Sequence, residues 1–166
     1  MIEEKEEKDF VREPANMNIE DLKPERPTVG DEMPVLLWRL VRIVGMHSVL
    51  GDETPTAVYF IGKNIGKLLE IHSTKELQKT LTELKIGKLR ILAETPEFFQ
   101  IGISECVTCA GIHPPLGKPI CHLEAGIIAG ALEHIYQDRE VKVIGKETKC
   151  IGGLGDEVCL IECQIL

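Results

Sequence analysis

Aromatic side chains are scarce in this sequence: four Phe, two Tyr and one Trp among 166 residues. So few rings do not make the stacking platform on which single-stranded bases rest. An excess of positive charge is also missing. Nineteen Lys and Arg stand against 27 Asp and Glu, for a formal net charge of −8. Phosphate backbones need a basic face, so nucleic acid is not the expected partner. No apolar run approaches the roughly 18 residues of a membrane-spanning helix. The first residues, MIEEKEEKDF, have no apolar segment of the kind that directs secretion. A cytoplasmic chain is expected. No G-x-G-x-x-G follows a strand-like run, so no dinucleotide signature is present. Finally, no cysteine occurs before position 106.

All six cysteines are thus confined to the last part of the chain. In a reducing compartment, cysteines are usually free, metal-bound or catalytic rather than paired. Six scattered cysteines would read as small apolar core residues. Their clustering points instead to a metal site.

Residues 1–32 are rich in Glu, Asp, Lys and Pro and sustain no apolar period. They read as a mobile acidic extension, ahead of one domain over residues 33–166. Pro34 opens a helix with an apolar stripe of Leu36, Leu37, Leu40, Val41 and Val44. A second helix covers residues 57–71. Its Gly62 and Gly66 lie on one face, where glycine costs about 1 kcal/mol relative to alanine, so a close backbone approach is expected there. Ser73 and Glu76 form a capping-box pattern for a third helix over 74–85. Residues 88–94 and 98–105 form a hairpin, and 121–136 a fourth helix. Two further strands, about 140–149 and 157–165, are joined by the turn GGLGD. This order predicts an α+β fold with helices on one face of a twisted antiparallel sheet.

Zinc prefers thiolate ligands, four in a tetrahedron when the site is structural. Cys106-x-x-Cys109 binds one metal from a tight turn, but no second C-x-x-C follows, so this is no standard zinc ribbon. Cys121 opens a helix, where the dipole favours a thiolate. The last hairpin brings Cys150 near Cys159. Cys163, between Ile161 and Ile165, reads as core. His113 and His122 are weaker candidates, since a histidine in such a loop or helix start is more often a surface residue.

The segment PICHLEAGIIAGALEHIYQDREVKVIGKETKCIGGLGDEVCLIECQI resembles the 4-vinyl reductase domain family. The family pattern is matched by Cys121 opening a helix with Gly126 and Gly130, by Glu147 and Cys150 as Glu-x-x-Cys, and by Gly155 and Cys159. The upstream YFIGKNIGKLL is similar to the family's glycine-bearing helix. The resemblance implies a zinc site built from Cys121, Glu147, Cys150 and Cys159. Cys106 and Cys109 are additional to that set and stand as alternates. It also implies a fold shared with nitric-oxide sensors and trafficking-complex subunits, commonly dimeric, and a hydrophobic or hydrocarbon-like small-molecule ligand.

A zinc-stabilised ligand-binding module is therefore the leading expectation, as a homodimer. An apolar pocket is expected between helices and sheet, lined by Trp38, Val41, Tyr59, Ile65 and Phe99. A reductase or enzyme subunit ranks lower, because such chemistry needs a hydride donor. A dimeric interaction scaffold is the third reading.

Overall fold

The computed structural model describes residues 17–166. Of the acidic extension expected over 1–32, residues 1–16 lie outside the described residues. The chain divides into two compact units, one ending at Asp31 and the other spanning Glu32–Leu166. In the first, a single 3-10 turn, Glu20–Leu22, is opened by reciprocal bonds between Asn18 and Asp21.

The second unit begins with α1 (Val35–Arg39), entered from Pro34. It runs on as a π-wound segment, Leu40–Gly45, into α2 (Met46–Leu50). Gly51, with φ at 54°, turns the chain into α3 (Thr54–Leu68). In α4 (Thr74–Glu83) the Ser73 hydroxyl accepts the Glu76 N–H at 3.1 Å. The Glu76 carboxylate in turn accepts the His72 N–H at 2.9 Å. This satisfies backbone donors that the helix start would otherwise leave unpaired. Then follow β1 (Lys88–Glu94), β2 (Phe98–Ser104), α5 (His122–Ile135), β3 (Val143–Lys149), the single turn α6 (Ile151–Leu154) and β4 (Cys159–Ile165).

The fold is α+β, with a four-stranded antiparallel sheet ordered β1-β2-β4-β3. Side chains alternate between its faces. Leu89, Phe99, Ile101, Ile103, Val143, Cys159, Ile161, Cys163 and Ile165 are buried, while Arg90, Leu92, Ile144, Lys146 and Gln164 face out. Helix α5 covers β3 and β4, and α4 covers β1, on the buried side. Register pairs Ile101 with Ile91 on one side and Ile161 on the other, so the core layer is continuous across three strands.

Helices α3 and α5 meet at their backbones. A Cβ on Gly62 would fall 2.2 Å from the Leu123 carbonyl oxygen, and one on Gly66 2.1 Å from that of Ile127. Reciprocally, a Cβ on Gly126 would reach the Tyr59 oxygen at 2.1 Å, and one on Gly130 the Lys63 oxygen at 2.0 Å. The glycines expected to mark a close approach do so, against a second matching pair. Beside this crossing, Glu133 of α5 pairs with Lys63 at 2.7 Å and Lys67 at 2.9 Å, and accepts the Val143 N–H at 2.9 Å. One carboxylate thus ties α3, α5 and β3 together.

Two expectations change. The turn GGLGD holds the short helix α6 rather than open loop. The stripe Leu36, Leu37, Leu40, Val41 and Val44 is exposed, with Leu36 at 70% and Val44 at 60%. The opposite face turns inward, carrying Trp38, Arg42, Ile43 and Met46. The cause is polar: Arg39 donates to the carbonyls of Val107 and Ala110, at 2.8 and 2.7 Å, and Arg42 to that of Ile120 at 3.1 Å. These bonds pin the arginine face against the cysteine-bearing loops. Apolarity alone does not reveal that preference.

Candidate metal centre

Five cysteines that are far apart in sequence converge beneath the start of α5. Cys106 and Cys109 lie on the turn after β2, where the Ala110 N–H bonds back to the Cys106 carbonyl at 2.9 Å. Cys121 is the N-cap of α5, and Cys150 that of α6. Cys159 opens β4. All five are free thiols with no solvent exposure. Their Sγ atoms are close: Cys109 to Cys159 at 3.2 Å, Cys121 to Cys109 at 3.4 Å and to Cys106 at 3.5 Å. Cys121 lies 3.8 Å from Cys159 and 3.9 Å from Cys150.

Glu147 joins them through a local irregularity in β3. In a regular strand, positions three apart point to opposite faces. Here Glu147 pairs with Ile161 and Lys149 with Leu160, so two steps on β3 match one on β4. This bulge adds a residue at Thr148. Glu147 and Cys150 then reach the same cluster. Glu147 is 4% exposed. Its Oε2 accepts the Cys121 N–H at 2.8 Å, and its Oε1 has no partner.

Two overlapping sets of four donors result, each with its atoms within 4.8 Å: Cys106, Cys109, Cys121 and Cys159; and Cys121, Glu147, Cys150 and Cys159. Either can hold a metal ion. A tetrahedral zinc with Zn–S near 2.3 Å needs sulfurs about 3.8 Å apart. The spacing of Cys121 to Cys159 and Cys150 fits that edge. The orphaned Glu147 oxygen fits a fourth ligand, since a buried polar atom without a partner is costly.

The electrostatics point the same way. Hydrogen bonds from Cys109, Cys121 and Cys159 hold the Cys106 thiol down, to about 2. Cys121, bonded to Cys106 and then its other neighbours, is held well above the usual thiol value. The protons cannot all leave without a compensating cation. Burial lifts Glu147 to about 8, ahead of the opposing bond from the Cys121 N–H. Backbone donors are already aimed at sulfur: Gly153 N–H to Cys150 Sγ at 3.2 Å, and Ile151 N–H to Cys159 Sγ at 3.4 Å. Such bonds stabilise thiolates. Cys163 is different. Burial drives it up to about 12, and it packs opposite Phe99 and Gly145 as a core residue. His113 and His122 do not enter the cluster among the described residues.

Polar groups that the sequence did not single out surround the site. Arg42 is 4% exposed and its Nε lacks a partner. Glu124 is fully buried and accepts a hydrogen bond from the Thr108 hydroxyl. The one available signal was two arginines, Arg39 and Arg42, one turn apart in an otherwise apolar helix.

A cavity of about 520 Å³ adjoins the centre through residues 118–122. Val44, Leu116 and Ile120 contribute apolar surface, and Arg42, Lys118 and His122 polar groups. None of the five residues expected to line a pocket lies on it. Phe99 is inside the sheet core and Trp38 packs against it. The Tyr59 hydroxyl accepts the Gly145 N–H at 3.0 Å. Val41 and Ile65 lie on outward helix faces, 52% and 37% exposed.

The vinyl-4-reductase domain pattern matches residues 99–165. The uncharacterised protein MJ1642 of Methanocaldococcus jannaschii is 32% identical over 138 residues, covering 83% of this chain and 81% of that one. Among solved structures, a vinyl-4-reductase family protein from the same organism superposes with a TM-score of 0.65 at 26% identity, covering 83% and 85% of the two chains. The phenol-responsive sensory domain of the transcription activator PoxR, bound to phenol, gives 0.61 at 13% identity, covering 81% and 76%, and bears on the fold alone. With a cysteine-bearing α5, a Glu-x-x-Cys at the end of β3 and a relative of this extent, the chain belongs to the vinyl-4-reductase domain family.

Proposed function

We propose that residues 33–166 form a binding domain for a hydrophobic or hydrocarbon-like small molecule, stabilised by zinc, with residues 1–32 as an acidic extension. The observation that carries this reading is the cavity beside the thiolate cluster. Its volume of about 520 Å³ falls in the range typical of ligand sites. An apolar body would lie against Val44, Leu116 and Ile120, with one small polar group towards Lys118 and His122. The phenol held by the PoxR neighbour is a ligand of this size class and supports the reading.

Zinc would be held by Cys121, Glu147, Cys150 and Cys159. Four protein ligands leave no open position, so the ion supplies cross-linking rather than Lewis-acid chemistry. It fastens α5 to the β3–β4 hairpin and thereby fixes the cavity wall at residues 118–122. A reducing, cytoplasmic compartment keeps the thiols available to metal.

A second copy of the chain is the proposed cover for the outward stripe on α1 and the π-wound segment. Contiguous exposed apolar residues of this kind mark interaction surfaces. Ile61, Ile65 and Leu68 on α3 add a second exposed apolar row.

Native mass spectrometry of the purified full chain, with phenol and a fatty acid as probes, tests the binding reading. A bound apolar compound or probe is expected, together with zinc. Leu116→Trp, which fills the cavity from an exposed loop, is expected to lower probe occupancy while zinc stays. Probe binding unaffected by that variant, or absent altogether, would contradict the assignment.

A further inference from the structure

The two donor sets overlap in a specific way. They share Cys121 and Cys159 and differ in the other two members. We infer that the centre is binuclear, with two zinc ions bridged by the Cys121 and Cys159 thiolates. Cys106 and Cys109 complete one ion's tetrahedron, and Glu147 and Cys150 complete the other's. This rests on the reading of the cluster as a metal centre and extends it.

Ligand number is the first reason. One tetrahedral ion uses four donors, yet six converge here. Cys106 and Cys109 approach Cys121 at 3.5 and 3.4 Å, closer than Cys150 at 3.9 Å. They are therefore no more distant from that shared sulfur than a member of the other set. A thiolate has the lone pairs to serve two ions at once, and sharing two of them gives each ion four donors from six.

Charge is the second reason. Every donor residue is at most 4% exposed. Burying a charge without a counter-ion is expensive. Two divalent ions against six anionic donors leave a formal charge of −2, and the buried Arg42 faces Cys121, Cys106 and Glu147. A single ion would leave the same donors at −4, or leave Cys106 and Cys109 as protonated thiols pressed against thiolates. On loading, each coordinated thiol gives its proton to water as a metal–sulfur bond forms. No oxidant or reductant is involved.

The third reason is the support given to both sets. The Ile151 N–H is aimed at Cys159, a bridging sulfur, and the Gly153 N–H at Cys150, a terminal one. Glycine at 152 and 153 lets these elements close up. A Cβ on Gly152 would meet the Cys109 carbonyl oxygen at 2.4 Å, and one on Gly153 the Cys150 sulfur at 2.7 Å. The Cys109 turn and the Cys150 turn are thus packed directly on each other.

The test is metal analysis with native mass spectrometry on the full chain, purified under reducing conditions with zinc. Two zinc ions per chain are expected, falling to one in Cys106→Ser/Cys109→Ser. One ion in the wild type overturns the binuclear assignment and leaves the zinc reading standing. No metal overturns both. An iron–sulfur absorption spectrum also overturns it. Should the double variant fail to fold, cobalt titration of the metal-free wild type decides. Bridged Co²⁺ ions are magnetically coupled, so the paramagnetic resonance signal is expected to rise over the first equivalent and fall over the second. A signal that rises through both equivalents contradicts bridging.

Discussion

Glu147 shows how a single side chain depends on a local defect in its strand. Its carboxylate is brought to the thiols only because β3 carries a bulge between Glu147 and Lys149. On spacing alone, Glu-x-x-Cys in a strand puts the two side chains on opposite faces, so the pair was readable only from the family pattern. Cys121, Cys150 and Cys159 were readable from helix-start and hairpin placement. Gly153 is the residue on which the geometry of Cys150 hangs. Gly153→Ala is expected to weaken zinc binding by about 10–100-fold, the usual cost of disturbing the groups that orient metal ligands. Competition against a chromophoric chelator reads this directly. An unchanged affinity would mean that the N–H donor and the tight turn do not hold the sulfur in place.

Among the elements, the α3–α5 crossing carries the clearest energetic claim. Its glycines bring the two backbones into contact, and any Cβ there must push the helices apart. Gly66→Ala is expected to destabilise the domain by about 1–3 kcal/mol, despite alanine's better helix propensity. Denaturant unfolding checks it, and a stabilised variant would refute the packing. Glu133 sits at the same junction. Burial pushes its carboxyl up, but the bonds from Lys63, the Val143 N–H and Lys67 more than offset this, so its net shift is downward. A depressed folded-state value means stability that is present above the ordinary 4.5 and lost as pH falls through the lower folded value. Glu133→Gln should therefore flatten the acid limb of the stability profile, measured by thermal unfolding from neutral pH downwards. The first helix is where sequence and structure part. Its apolar stripe was correctly seen as a stripe, but its direction was set by arginine bonds to carbonyls 68 to 78 residues away, which no local period encodes. Because the stripe is exposed, Leu37→Glu with Leu40→Glu should change monomer stability by no more than about 0.5 kcal/mol per site. Light scattering is expected to show a shift from dimer to monomer; an unchanged mass would remove the proposed interface.

At the scale of the whole molecule, the strands, their antiparallel pairing and the place of each helix follow from alternation, capping residues and glycine. What could not be read was the meeting of distant loops: the turn after β2, the start of α5 and the β3–β4 connection close on one point. That convergence is a property of the complete topology, which explains why Cys106 and Cys109 remained alternates until the sheet order was known. A buried cluster of five thiols and a carboxylate also makes metal binding inseparable from folding, because the ligands come together only in the folded chain. Thermal unfolding of the zinc-loaded full chain, with and without a strong chelator, is the most direct test of that central claim. The chelated protein is expected to unfold at a distinctly lower temperature and to recover when zinc is restored. Identical unfolding curves, from a protein that carries no metal, would contradict it.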